Sequence, residues 1–208
     1  MDFSRPFHVV SPSLDGDVLA VLSRADATIT GAQVHRLVGH SSDEGVRKAL
    51  ERLVRQGIVE REAAGPAYLY SLNREHLAAR WVEGLAGLSR QLVERLRENL
   101  ESWRPKPAVA LLFGSVARGE ATNDSDLDLL LIRPDSVDGD DPTWRGQVLE
   151  LQRAATAWTG NEARVVEYAE RELTDLVGKE PFLEQAATEG IELVGSLRAF
   201  RRALRRAS

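Results

Sequence analysis

The chain has 208 residues, a net charge of −5 and an apolar fraction of 43%, which suit one large or two small globular domains. It contains no cysteine, so it cannot form a disulfide or a thiolate metal site. The acidic balance of the whole chain gives no overall electrostatic reason to bind nucleic acid.

The N-terminal residues 1–30 contain charges and a proline but no long apolar stretch. A signal peptide or a membrane-spanning helix would need such a stretch. We therefore expect a soluble cytoplasmic protein that has no membrane partner.

Three short helices are predicted before residue 58. Residues 15–24 carry apolar side chains at helical spacing. A second helix has Thr30 as its N-cap and Gly39 as its stop, and a third has Ser42 as its N-cap and Gly57 as its stop. Two acidic residues follow Ser42, and acidic side chains favour the first turn of a helix.

The segments IVERE and AYLYSL, joined by the turn AAGP, predict a hairpin of two strands. Three helices followed by a hairpin resemble the winged helix-turn-helix of bacterial regulators of the ArsR and MarR type, over roughly residues 7–73 of a domain expected to span residues 1–73. The resemblance implies that the third helix is a recognition helix. Its cations Arg47, Lys48 and Arg52 are then the candidate DNA-binding residues.

These cations have a second interpretation, as an ordinary solvated helix face on a module for homodimerisation or protein docking. Residues 1–104 carry 14 basic and 14 acidic residues, so this half has no excess of positive charge. Duplex affinity depends mainly on cations at phosphates. The sequence leaves both DNA contact and assembly open.

The next segment, residues 74–104, is predicted to be a helical connector. Its leucines recur every three or four residues, which indicates one long helix, or two short helices broken near Gly84 and Gly87. The two prolines of RPKPA then mark a boundary, because proline cannot continue a helix.

Two strands flank a polar stretch in the second half. Val109–Phe113 is predicted to be a buried strand, and Gly114-Ser115 then turns the chain into a short helix. Free backbone N–H groups at such a turn bind anionic oxygens such as those of phosphate. The second strand is predicted over residues 126–132.

Asp126 and Asp128 are one residue apart, so they project from the same face of this strand. Two carboxylates this close repel each other unless a cation lies between them. Mg²⁺ prefers oxygen ligands and is usually held by one or two carboxylates together with substrate phosphates. The pattern therefore predicts a magnesium site that binds nucleotide phosphates.

The segment GSVARGEATNDSDLDLL resembles the defining motif of the DNA-polymerase-β-like nucleotidyltransferase superfamily, and most closely its minimal nucleotidyltransferase branch. The resemblance implies an NTP substrate and two Mg²⁺ ions held by Asp126 and Asp128. It also implies that Gly114 and Ser115 hold the triphosphate and that Arg118 lies close to the phosphates.

Active members of this superfamily usually carry a third carboxylate on a later strand, where it acts as a general base. The third strand is predicted over residues 163–168, and Glu167 is the candidate, with Glu162 as the second choice. Alternation places Glu162 and Arg164 on one face and Glu167 on the other. If Arg164 occupies the position of the third carboxylate, the base is missing and catalysis is in doubt.

The expected fold is α+β: a winged helix-turn-helix, the helical connector, and a nucleotidyltransferase domain over residues 105–208 with a mixed β-sheet and a C-terminal helix. The expected function is Mg²⁺-dependent transfer of a nucleoside monophosphate from an NTP to an acceptor hydroxyl. By resemblance the acceptor could be a protein, as in antitoxins that modify a partner toxin. The alternative is a DNA-binding regulator whose nucleotidyltransferase domain senses nucleotide or is inactive.

Overall fold

The computed structural model describes residues 1–176 and 179–206. The chain divides into two compact units, an N-terminal unit formed by Asp2 and Ser4–Leu88 and a C-terminal unit formed by Met1, Phe3 and the residues from Ser89 onward. This division falls inside the predicted connector. The predicted domain boundaries after residues 73 and 104 stay a prediction.

The N-terminal unit combines helices with a small antiparallel sheet of strand order β1-β3-β2. After a 3-10 helix at Pro6–Val9, its elements are α1 (Leu14–Arg24), β1 (Ile29–Thr30), α2 (Gly31–Val38), α3 (Asp43–Arg55), β2 (Val59–Ala64), β3 (Ala67–Leu72) and α4 (Ala79–Ala86). One apolar core, which includes the fully buried Val18, Val34 and Leu50, joins α1, α2 and α3.

The caps predicted for the second and third helices are present. The Thr30 hydroxyl accepts a hydrogen bond from the backbone N–H of Gln33 at 3.2 Å, and the Gln33 side chain accepts one from the N–H of Thr30 at 2.7 Å. Gly39 ends α2 with a φ of 79°, and Ser42 caps α3. The three helices and the hairpin are thus confirmed as elements, while their assignment as a winged helix stays a prediction.

The later elements are α5 (Leu88–Glu101), β4 (Val109–Phe113), α6 (Gly114–Arg118), β5 (Leu127–Arg133), α7 (Pro142–Thr159), β6 (Ala163–Ala169), a 3-10 helix at Glu170–Glu172, α8 (Leu173–Leu176), α9 (Pro181–Glu189), β7 (Ile191–Val194) and α10 (Leu197–Arg206). The predicted connector is two helices, because Gly87 ends α4. The second strand begins at Leu127, so Asp126 lies just before it and not within it as predicted.

The sheet of the C-terminal unit has the strand order β6-β5-β4-β7. The β5–β6 pair is parallel and the other pairs are antiparallel, which confirms the predicted mixed sheet in an α+β fold. Both faces of β5 are buried: Leu127, Leu129 and Leu131 pack in one core, and Leu130 and Ile132 pack in another. Charged groups can therefore be placed only at the ends of this strand.

Within residues 1–176 and 179–206, no helix is both long enough and apolar enough to cross a lipid bilayer.

A prediction on stability follows from the buried strand β5. Leu129 is 0% exposed, whereas Leu149 on α7 is 47% exposed. Leu129→Ala should lower the free energy of unfolding by about 2–5 kcal/mol, because it leaves a cavity in the core. Leu149→Ala is the matched control and should change it by less than about 0.5 kcal/mol. Urea unfolding followed by tryptophan fluorescence measures both, and equal losses would contradict the packing described above.

Candidate active site

Gly114 forms the turn between β4 and α6. Its φ is 72°, a left-handed backbone conformation that favours glycine. A Cβ atom at this position would collide with Oδ2 of Asp128. Only glycine therefore lets the backbone of the turn approach the Asp128 carboxylate this closely. The next residue, Ser115, is half-buried in the first turn of α6.

Asp126 and Asp128 lie at the N-terminal end of β5. Asp128 is half-buried and pairs across the sheet with Phe113, the last residue of β4. Burial raises the pKa of the Asp128 carboxyl above its usual range, and the charge of Asp126 raises it further. Arg164 and Arg118 act in the opposite direction. The structure thus brings the two predicted carboxylates together in a place that favours a cation.

Arg164 is the cation that the strand register places beside this carboxylate pair. It is the second residue of β6 and is the direct neighbour of Asp128 in the parallel β5–β6 pair. Its Nη1 lies 2.6 Å from Oδ2 of Asp126, and its Nη2 lies 3.7 Å from Oε2 of Glu162. A cation, and not a carboxylate, therefore lies on β6 directly beside Asp128.

Glu167 is not brought to the aspartates, which corrects the expectation that it is the general base. It is the neighbour of Leu131 in the β5–β6 pair, and alternation turns it to the face opposite Asp128. There its carboxylate accepts a hydrogen bond from Nε of the buried Arg133 at 2.7 Å. Glu167 neutralises a buried guanidinium, which is a structural role. The second choice, Glu162, is exposed and contacts only the outer nitrogen of Arg164 among the ion pairs of the described residues.

Arg118 ends α6 and is held by two carboxylates. Its Nε donates to Glu120 at 2.8 Å, and its Nη1 donates to Glu189, at the end of α9, at 2.6 Å. The hydrogen bond to Glu120 raises the pKa of Arg118, with the Glu189 interaction adding to it. Sequence reasoning missed Glu189, because no local pattern connects it to a residue 71 positions earlier.

The donor set can be compared with the needs of a divalent metal. Within the described part of the chain, no group of three His, Cys, Asp or Glu side chains is placed to hold a metal ion. Two neighbouring carboxylates still suit Mg²⁺, which is commonly held by one or two carboxylates and completed by substrate phosphates and water. The residues present therefore fit a metal that arrives with a nucleotide, and the predicted number of two ions stays a prediction.

The three candidate DNA-binding cations of α3 are already paired within the N-terminal unit. Arg47 donates to Glu44 at 2.7 Å, Lys48 lies 3.3 Å from the same carboxylate, and Arg52 is paired with Asp15. The hydrogen bond from Arg47 and then that from Lys48 lower the pKa of Glu44 to about 2. Any DNA phosphate would have to compete with these carboxylates.

The raised pKa of Asp128 predicts a dependence of stability on pH. The folded protein holds this proton more tightly than the unfolded chain, so the contribution of Asp128 to the free energy of unfolding falls as the pH rises from about 4 through the raised pKa. Asp128→Asn removes the buried charge and should be more stable than the wild type at pH 7. Urea unfolding at several pH values measures this, with Asp124→Asn in the exposed loop as the control. Parallel stability curves for wild type and Asp128→Asn would contradict it.

Known proteins provide two kinds of comparison. Residues 89–194 match the family described as nucleotidyltransferase domain. Among solved structures, the chain is similar to a toxin–antitoxin complex crystallised with AMP-PNP, at 22% identity and a TM-score of 0.38, over 57% of this chain and 82% of that chain. No curated protein matches the chain.

Two mutants of the toxin–antitoxin pair MntA–HpeT are similar as well. One carries two Asp-to-Glu changes and matches at 17% identity and a TM-score of 0.38, over 57% of this chain and 82% of that chain. The other carries a Tyr-to-Ala change and matches at 20% identity and a TM-score of 0.37, over 55% and 80%. The family match itself spans more than half of the sequence. The chain therefore belongs to the nucleotidyltransferase domain family.

Proposed function

We propose that the C-terminal unit is a Mg²⁺-dependent nucleotidyltransferase that moves a nucleoside monophosphate from an NTP to an acceptor hydroxyl. The observation that carries the proposal is the placement of Asp126 and Asp128 beside the glycine turn that opens α6. Membership of the family supports an NTP substrate and, typically, a divalent metal. We place this activity in the cytoplasm.

Different residues of the site bind the metal and the phosphates. Asp126 and Asp128 hold the metal, which when bound stabilises the negative charge that develops on the phosphates. Gly114 keeps the backbone close to Asp128, and the N–H groups and hydroxyl at Ser115 hold phosphate oxygens. Arg118, which is paired with Glu120 and Glu189 in this structure, is the cation proposed to contact the triphosphate.

The acceptor hydroxyl receives little help from a general base in this proposal. Glu167 lies on the other face of the sheet, and Arg164 takes the neighbouring position on β6. Phosphoryl transfer depends mainly on positioning and on electrostatic stabilisation, with little covalent chemistry for the protein to perform. We therefore expect transfer to be slow compared with that of an enzyme that has a third carboxylate.

The proposed acceptor is a hydroxyl side chain of a partner protein, as in antitoxins that modify a toxin. The support is the likeness of GSVARGEATNDSDLDLL to the motif of minimal nucleotidyltransferases, some of which have this role.

Label transfer tests the activity. Each α-³²P-labelled NTP is incubated with the protein, Mg²⁺ and cell lysate, and label should pass to one acceptor in the presence of one preferred NTP. Asp128→Asn should reduce the transfer by about 100-fold or more, a loss typical of removing one electrostatic group at a transition state. Asp124→Asn should behave as the wild type, because it lies in an exposed loop.

The acceptor class is read from the same labelled sample. Label that is lost on protease treatment and survives nuclease supports a protein acceptor, whereas the reverse indicates nucleic acid. Equal labelling by wild type and Asp128→Asn would rule out the proposed site.

A second candidate function is favoured by the ion pair between Arg164 and Asp126. In this alternative the site binds nucleotide without transferring it, and the N-terminal unit is a winged helix that reads DNA as a homodimer. The order of helices and hairpin in that unit supports the winged helix. The ion pairs of Arg47, Lys48 and Arg52 limit the charge that is free to contact phosphates.

The Glu44 carboxylate provides a test of DNA binding. Glu44→Gln should release Lys48, while Arg47 keeps its pair with Glu51, and it should therefore raise duplex affinity and steepen its salt dependence by about one unit of slope for the added phosphate contact. Gel shifts with the chain's own promoter region over a salt series measure this. Glu75→Gln makes the same charge change outside α3 and is the control. Salt-insensitive or undetectable binding by both variants, with a dimer still seen in solution, would make the N-terminal unit an assembly module.

A further inference from the structure

Arg164 has no part in the reaction proposed above, yet it contacts the carboxylates that the reaction needs. We propose that Arg164 is the resident counterion of the Asp126–Asp128 pair, and that metal and triphosphate bind together by displacing it. The proposal rests on the proposed function and adds a coupling between its two ligands.

Arg164 contacts Asp126 more closely than it contacts Glu162. Its Nη1 lies 2.6 Å from Oδ2 of Asp126, which is hydrogen-bonding distance, while its only other ion pair among the described residues is a 3.7 Å approach to Glu162. The β5–β6 register fixes its Cα beside that of Asp128. The guanidinium is thus held mainly by Asp126, at an oxygen that a metal would also use.

The positive charge of Arg164 does not balance the charges of the two aspartates. Asp126 and Asp128 together bear two negative charges, and Arg164 supplies one positive charge to them. This neutralisation is incomplete, because one negative charge of the pair is left without a counterion. A divalent cation matches the pair better, but it cannot share the Asp126 oxygen with a guanidinium, because the two positive charges would repel at contact distance.

The Arg164 side chain lies at the surface of the protein. It is 58% exposed, and ion pairs at such positions are weak and easily exchanged. Arg164 can therefore leave Asp126 without disturbing the core. When the metal arrives alone, the released guanidinium keeps only the distant Glu162 carboxylate and stands near a dication. When the metal arrives with a triphosphate, the phosphate oxygens provide that partner.

The consequence is positive coupling between the two ligands. A nucleotide should strengthen metal binding and, by thermodynamic linkage, the metal should strengthen nucleotide binding by the same factor. A carboxylate in place of Arg164 would instead add a ligand and allow the metal to bind alone.

Direct metal binding tests this without any measurement of turnover. The full chain is titrated with Mn²⁺, followed by electron paramagnetic resonance, with and without an α,β-methylene nucleoside triphosphate that cannot be transferred. In the wild type the analogue should tighten Mn²⁺ binding by about tenfold. Arg164→Gln should bind Mn²⁺ several-fold more tightly than the wild type without the analogue, and should lose most of the coupling.

Two further variants sharpen the result. Arg164→Glu should bind Mn²⁺ more tightly still, because it supplies a third carboxylate beside Asp128. Arg145→Gln breaks a comparable exposed pair with Asp140, which is 3.0 Å long, and should behave as the wild type. Far-UV circular dichroism confirms that each variant is folded.

Two failures are distinguishable. If the wild type binds Mn²⁺ with the analogue, and Arg164→Gln has the same affinity and the same coupling, the counterion proposal is wrong and the proposed function stands. If neither the wild type nor Arg164→Glu binds Mn²⁺ under any of these conditions, both are wrong.

Discussion

The burial of β5 on both faces is the constraint on which the site depends. Apolar cores cover both sides of this strand, so ionised side chains are tolerated only at its ends. Asp128 stands one residue inside the N-terminal end, where its carboxylate meets the glycine turn of α6. The strand thus holds two carboxylates close together, and the rest of the site is arranged around the resulting negative charge.

Much of the fold could be predicted because its signals are local. The N-caps Thr30 and Ser42, the break at Gly87 and the buried strand Val109–Phe113 each depend on a few consecutive residues. The closeness of Asp126 and Asp128 was equally accessible, since the two residues are separated by a single residue at the start of a strand. The predicted strand begins one residue earlier than β5, which is a common difference at the end of an element.

The partners of these residues could not be predicted, because they depend on contacts between distant segments. Alternation separated Arg164 from Glu167 on β6, but only the register with β5 shows which of them shares a face with Asp128. The sequence does not show that Arg133 is buried and therefore requires a counterion. Glu167 is that counterion. In the same way, the pairing of Arg118 with Glu189 brings together α6 and α9.

The position of β6 at the edge of the sheet has a consequence for how the protein can evolve. Arg164 is the second residue of that edge strand, and its side chain is largely in solvent. The core therefore places little restriction on which residue occupies this position. Substitution of this one residue can therefore exchange a guanidinium for a carboxylate next to Asp128 at little cost in stability. Chemistry at this site can be gained or lost while the scaffold is inherited unchanged.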